Sequence, residues 1–164
     1  MPNQKYATTP NDMLDSAMFA NHSGLELIEL WAAGHIFGPP MAGTMNMRVE
    51  GGALGKAVFR GTPEFRHLNP AGTLHGGWYG TILDSAMTCA VTAALPKGLV
   101  CTTLEFKVNI IRPIPIGTEV LAEGDCQHAG RTTAVATGRI IGREDGKLYA
   151  TGSTTCMVFA APPA

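Results

Sequence analysis

Residues 69–86 read NPAGTLHGGWYGTILDSA. The groups able to do chemistry are a carboxamide (Asn69), an imidazole (His75), the paired glycines Gly76 and Gly77, and a carboxylate (Asp84) nine residues past the histidine. A carboxylate among small apolar neighbours gains proton affinity through desolvation unless it is paired, which suits a general base or nucleophile. Backbone N–H groups at a helix start lack intrahelical acceptors and lie at the positive end of the helix dipole. Glycine, with no Cβ, lets a carbonyl oxygen come within hydrogen-bond distance of them, so Gly76 and Gly77 are candidates for an oxyanion site. Plainer readings stand beside these: Asp84 in water, His75 as a cap or core histidine, and Gly-Gly as a turn.

These groups need a helix to position them. A helix is expected from about residue 76 to 95, stopped at Leu95-Pro96. At 100° per residue, Asp84 shares a stripe with Gly77, Gly80, Thr81, Met87, Thr88 and Val91. Tyr79, Ile82, Leu83, Ala86, Ala90 and Ala93 form the other side, which can pack on a sheet. A solvated stripe would favour Lys, Glu and Gln, whereas this one leaves room for a backbone or a slender ligand. Nine residues of helix rise about 13.5 Å and turn about 900°, a net half turn. His75 and Asp84 therefore cannot pair within one chain. Two such helices, antiparallel across a two-fold axis, would bring His75 of one chain to Asp84 of the other.

The remaining elements follow from periodicity and turn chemistry. Residues 1–10 read as a loose tail, followed by short helices within 11–24 and 23–34, the second with Leu27, Leu30 and Trp31 on one face, and a loop at 34–41. Strands at 43–50 and 53–61 flank a Gly51-Gly52 hairpin signal. A loop at 62–75 leads into the long helix, and four strand-like runs follow it. In VCTTLEFKVNIIR, Leu104, Phe106, Val108 and Ile110 alternate with Thr103, Glu105, Lys107 and Asn109. The order predicts an α+β fold: one antiparallel sheet packed on one long helix. So much sheet against one helix leaves an uncovered face, which favours an oligomer.

Bulk properties exclude several classes. The chain has 164 residues, enough for one domain with a sizeable core, and its net charge of -1 implies no general affinity for nucleic acid. No apolar run is long enough to span a bilayer, and the first residues contain no apolar signal core, so the expectation is a cytoplasmic protein. Cys89, Cys101, Cys126 and Cys156 are widely spaced without a C-x-x-C and read as reduced packing residues, with no metal site and no disulfide framework.

NPAGTLHGG followed by TILDSA resembles the hotdog-fold acyl-CoA thioesterases of the phenylacetate-degradation type, within the hydroxybenzoyl-CoA thioesterase superfamily. The spacing matches as well: asparagine six before histidine, Gly-Gly after it, aspartate nine beyond. TTLEFKVNIIRP resembles the strand after the helix in that family, and HAGRTTAVATGRI with DGKLYATGSTTC its last hairpin. The likeness covers about residues 43–160 as a hotdog domain, preceded by a tail and short helices over 1–42. Residues 11–40 resemble the helical extension of one bacterial branch.

The resemblance implies a sheet wrapped round the long helix, dimers with a continuous sheet, often paired again into tetramers, and hydrolysis of an aryl or short/medium-chain acyl-CoA. It implies Asp84 as general base or nucleophile, Gly76 of the partner chain as oxyanion donor with Asn69 assisting, and His75 near the sulfur. Thr103 matches a position where relatives place a serine that holds the attacking water. Gly77, Arg112, Pro113, His128, Gly130, Arg131 and Thr132 fall in segments that match substrate-binding ones. Arg131 is either a phosphate partner or a solvated hairpin arginine, and where some relatives offer a basic residue near the C-terminus this chain reads TTCMVFA. No cofactor is implied beyond the coenzyme A of the substrate. Trp78, Tyr79, Phe37 and Met41 could line an acyl pocket or be core. The rival readings are a hotdog hydratase or dehydratase acting on an acyl thioester, whose sites pair Asp and His differently, and a non-catalytic acyl-CoA-binding protein.

Overall fold

A computed structural model describes residues 4–162. Its elements are α1 (Ser16–Asn21), α2 (Gly24–Ala32), α3 (Pro40–Thr44), β1 (Met47–Ala53), β2 (Lys56–Gly61), α4 (Gly76–Ala94), β3 (Leu99–Ile110), β4 (Val120–Ala129), β5 (Thr133–Gly142) and β6 (Leu148–Ala160). The six strands form one antiparallel sheet in the order β1-β2-β4-β5-β6-β3, so β1 and β3 are its edges. The sheet wraps around α4, the hotdog arrangement expected from the sequence.

The wrap is closer than a two-sided helix predicts. Ile82, Leu83, Ala86 and Ala90 are fully buried as expected, but so are Met87 and Val91 from the Asp84 stripe, and Trp78 is 1% exposed. A row of paired glycines explains the close seat: Gly124 stands opposite Gly138, and Gly138 opposite Gly152. A Cβ on Gly124 would collide with the Ala86 carbonyl, and one on Gly138 would lie 2.8 Å from Met87 Cγ. Three neighbouring strands thus lack side chains where the middle of α4 presses on the sheet. The side of α4 that the sheet leaves partly open carries Gly77, Thr81, Asp84, Ser85, Thr88 and Thr92, and Gly76, Cys89 and Ala94 are also less than fully buried.

The structure corrects the sequence reading at several places. The β1–β2 turn lies at Leu54-Gly55, not Gly51-Gly52, with Ala53 opposite Lys56 and Gly55 at φ 71°. Gly51 sits instead at a bulge between Val49 and Gly51, and a Cβ on Gly52 would meet Ile28 Cγ2 at 3.1 Å, so this pair serves the bulge and the approach of α2. The expected loop at 34–41 runs into α3, which Pro40 opens at a first-turn position. The expected loose tail is strapped down over its described part: Ala7 N–H donates to Gly38 O (2.8 Å), Gly38 N–H to Lys5 O (2.8 Å), and Tyr6 Oη–H to Met47 O (2.9 Å). Residues 1–3 lie outside the described residues. Ile28 and Trp31 of α2 join the same core as the sheet and α4, Leu27 is buried as well, and Leu30 is half-buried.

The most consequential difference is in β3. Thr103 pairs with Cys156 and Glu105 with Thr155, so Leu104 is the extra residue of a bulge and is 57% exposed. Strict alternation assigns Thr103 and Phe106 to opposite faces. The bulge reverses the parity between them, and both meet α4: Thr103 reaches Thr88, and Phe106 packs at Gly80.

Candidate active site

Asp84 is partly buried on the open side of α4, two turns from its start, and is held by hydroxyls. Thr103 Oγ1–H donates to Asp84 Oδ1 at 2.8 Å, and Thr88 Oγ1 lies 3.3 Å from the same oxygen and 2.9 Å from Thr103 Oγ1. Thr103 has one hydroxyl proton. With that proton on Asp84, its oxygen accepts from Thr88, giving a chain Thr88–Thr103–Asp84. Asp84 Oδ2 has no partner among the described residues and remains available to a ligand.

Three thiols lie behind this chain. Burial and the Asp84 charge push the Cys89 thiol up to about 12. Cys101 Sγ is 3.4 Å from Thr92 Oγ1, and its proton is held by a hydrogen bond to Cys156 and by burial, which push its affinity up. Cys156 accepts from Cys101, so it is the first of the pair to ionise. All four cysteines are free, and no cluster of His, Cys, Asp or Glu among the described residues has metal-binding geometry.

The start of α4 is built separately. His75 is its N-cap, and His75 Nδ1 accepts from Gly77 N–H at 2.9 Å. This bond assigns the neutral ring's proton to Nε2, on an exposed side chain. Trp78 N–H donates to His75 O (3.0 Å), whereas the exposed Gly76 N–H has no acceptor among the described residues. Of the two glycines, Gly76 therefore offers the free donor, and Gly77 gives its N–H to the imidazole. Asn69 organises the preceding loop: its Oδ1 accepts from Ala71 N–H (2.9 Å) and Thr73 N–H (3.2 Å), and its Nδ2–H donates to Thr73 Oγ1 (2.8 Å). His67, not singled out by the sequence, fixes the same region. It is buried, takes Glu64 N–H on Nδ1, donates from Nε2 to Thr44 O, and accepts His75 N–H on its carbonyl.

α4 runs antiparallel to β3. Ile110 lies beside Gly76, Phe106 beside Gly80, Thr103 beside Thr88 and Cys101 beside Thr92. Arg112 follows β3 at the Gly76 end, where its N–H donates to Tyr149 O at 3.2 Å, with exposed Pro113 next to it. His128, Gly130, Arg131 and Thr132 form the β4–β5 hairpin at the other end, where Thr133 pairs with Met157. Eight residues of β6 separate Tyr149 from Met157, about 26 Å at strand rise. Within one chain the candidates thus fall into two groups. Asn69, His75, Gly76, Gly77, Arg112 and Pro113 share one end of the sheet, and Asp84, Thr103, His128, Gly130, Arg131 and Thr132 lie toward the other.

Of the four pocket candidates, Trp78 (1% exposed) and Tyr79 (2%) are core, with Tyr79 Oη accepting Ile114 N–H at 2.8 Å. Phe37 and Met41 are exposed.

The chain is similar to known proteins over this region. The family model described as Thioesterase superfamily matches residues 71–149. Acyl-coenzyme A thioesterase 13 of Mus musculus is 32% identical over 92 residues, covering 56% of this chain and 65% of the mouse protein's length. A phenylacetic acid degradation-related protein from Ralstonia eutropha JMP134 superimposes with a TM-score of 0.70 at 29% identity, covering 79% of this chain and 98% of that one. A thioesterase protein from Streptococcus pneumoniae TIGR4, solved with coenzyme A, gives a TM-score of 0.64 at 26% identity, over 72% of this chain and 89% of that one.

Proposed function

We propose that the chain, which the Thioesterase superfamily model matches over residues 71–149, is a member of that family and hydrolyses acyl-CoA thioesters at a site shared between two subunits. The observation that carries this reading is the division of the candidate residues. A carboxylate with one free oxygen and a helix start with one free N–H lie about 12 Å apart along the same helix. A second copy related by a two-fold axis, with its β3 antiparallel to this one, would set the Asp84 end of one chain against the Gly76 end of the other. β3 supports this: it is an edge strand of 12 residues, and Leu104, Phe106, Ile110 and Ile111 on and just past it are exposed.

The roles follow from the hydrogen bonds. The thioester carbonyl oxygen takes the N–H of Gly76 at the positive end of α4. A water donating to Asp84 Oδ2 of the other chain and to Thr103 Oγ1 would direct its lone pair at the carbonyl carbon. Asp84 then takes the water's proton, or attacks the carbon itself and is released by water; both routes need its free oxygen. The tetrahedral intermediate collapses with loss of coenzyme A thiolate, to which exposed His75 Nε2–H offers a hydrogen bond. Asn69 acts by shaping the loop before His75. Arg112 and Pro113 of one chain, with His128, Gly130, Arg131 and Thr132 of the other, would hold the pantetheine and nucleotide, Arg131 on phosphate. The proposed partner is a homodimer or a dimer of dimers working in the cytoplasm, with no metal or further cofactor in the reaction. No described helix is long and apolar enough to cross a membrane.

Thiol release from a panel of acyl-CoA substrates tests the reading. Asp84→Asn should lower kcat/KM by ~10²–10⁴-fold with folding intact. Acyl-CoA binding without thiol release in the wild type would show a non-catalytic binding protein instead.

A further inference from the structure

Tyr79 lies near the start of α4 with its side chain in the core, and its hydroxyl reaches a segment far along the chain. Tyr79 Oη accepts Ile114 N–H at 2.8 Å. Ile114 stands between Pro113 and Pro115, which carry no N–H, so it has the one amide hydrogen of that stretch. We propose that Tyr79 is a positioning residue for substrate binding: its hydroxyl sets the Arg112–Pro113 segment against the helix start, and so places Arg112 for the nucleotide of acyl-CoA. The proposal rests on the hydrolase reading above, which gives Arg112 and Pro113 to the pantetheine and nucleotide.

Main-chain bonds hold the same segment on either side of that amide. Ile111 N–H (2.9 Å) and Arg112 N–H (3.2 Å) both donate to Tyr149 O, Thr118 N–H donates to Pro115 O (3.2 Å), and Gly117 N–H to Pro63 O (2.8 Å). Any residue at those acceptor positions supplies such a carbonyl, whereas the oxygen that takes Ile114 N–H exists only in the phenol. Tyr79 is three residues past Gly76, about 4.5 Å along the axis, so less than one turn of helix joins the proposed oxyanion donor to this strut.

Burial makes the bond matter. Ile114 and Tyr79 are each 2% exposed and belong to the same core, so neither has water to turn to. Without the phenol oxygen, the amide is either buried unpaired or carried outward until it meets solvent. Arg112, two residues away and exposed, moves with it. Arg112 makes no ion pair among the described residues, so its guanidinium is open to an anion. A buried phenol finds a partner in most folds; the experiment separates that plain role from positioning.

The test uses the full chain with the best substrate of the acyl-CoA panel, and calorimetric binding of coenzyme A as an arm that needs no turnover. Tyr79→Phe should raise KM and the Kd for coenzyme A roughly tenfold, the scale of one buried donor left unpaired, with kcat within about threefold of wild type. In an Arg112→Ala background the same substitution should raise KM by less than about threefold, because the group it positions is gone. A purely structural tyrosine lowers Tm in both backgrounds and moves neither KM nor Kd. Unchanged KM and Kd in a folded Tyr79→Phe variant, a fall in kcat as large as that in kcat/KM, or an equal rise in KM with and without Arg112 overturns the positioning role and leaves the hydrolase. No thiol release from any substrate, with the loss of coenzyme A affinity present, overturns the hydrolase and leaves the positioning role. Neither thiol release nor coenzyme A binding in the wild type overturns both. If Tyr79→Phe does not fold, Ile114→Pro deletes the donor instead of the acceptor and is read by the same criteria.

Discussion

Thr103→Val removes the hydroxyl that holds Asp84 while keeping the side chain's shape. The lost bond is 2.8 Å long and ends on a carboxylate oxygen. Hydrogen bonds to charged groups contribute about 1.5–3 kcal/mol. If Asp84 must be held for attack, that loss appears in the barrier as a drop of roughly 10- to 150-fold in kcat/KM. Thr88 tempers the effect: its hydroxyl is already 3.3 Å from the same oxygen and can take over part of the role. Each threonine therefore backs up the other. The double variant Thr88→Val/Thr103→Val should lose more than the two single losses combined, while Thr103→Ser keeps the hydroxyl and most of the activity. Thiol release gives the kinetics, and a thermal melt of each variant separates misfolding from lost alignment. Thr103→Val within threefold of wild type, or strictly additive losses in the cycle, would refute the claim that the two hydroxyls act as one unit on Asp84.

Other expectations concern the seat of the helix and the thiols behind it. Gly124→Ala forces a methyl against the Ala86 carbonyl and 2.9 Å from Met87 N. It should destabilise the fold by about 1–3 kcal/mol or more, a fall in Tm of several degrees on a calorimetric scan, and should reduce activity because Ala86 and Asp84 share one helix. Cys89, pushed up to about 12 by burial and the Asp84 charge, has little thiolate near pH 8, so iodoacetamide should label it on the order of 10³-fold more slowly than a free thiol, as read by peptide mass spectrometry. Labelling of Cys89 at the free-thiol rate in the folded protein would contradict that burial.

Much of the architecture was legible in the sequence because it depends on strong local signals. The small, apolar run ending at Leu95-Pro96 marks α4, and alternating β-formers mark the late strands. The two-ended problem of His75 and Asp84 needed only helix geometry. What escaped depends on pairing between distant segments. The bulge at Leu104 leaves no trace in composition, and without it Thr103 reads as facing away from the residues it accompanies. Thr88 was visible as a stripe residue, but its bond to Thr103 joins a helix to a strand. The glycine row at Gly124, Gly138 and Gly152 has meaning only once three strands are in register. Gly51-Gly52 misled because a glycine pair fits a bulge and a close helix approach as well as it fits a turn. The separation of Arg112 from Arg131 by the length of β6 likewise follows from topology alone.

On the shared-site reading, each site takes its helix start from one chain and its carboxylate from another. Co-refolding an equal mixture of His75→Ala and Asp84→Ala, each inactive alone, tests it directly. A heterodimer then contains one doubly damaged site and one intact site. Random exchange makes about half the dimers mixed, each with one working site of two, so about a quarter of wild-type thiol release should return. No recovered activity, with mixed dimers verified by mass spectrometry, would mean that His75 and Asp84 serve the same chain's site and that the shared-site account is wrong.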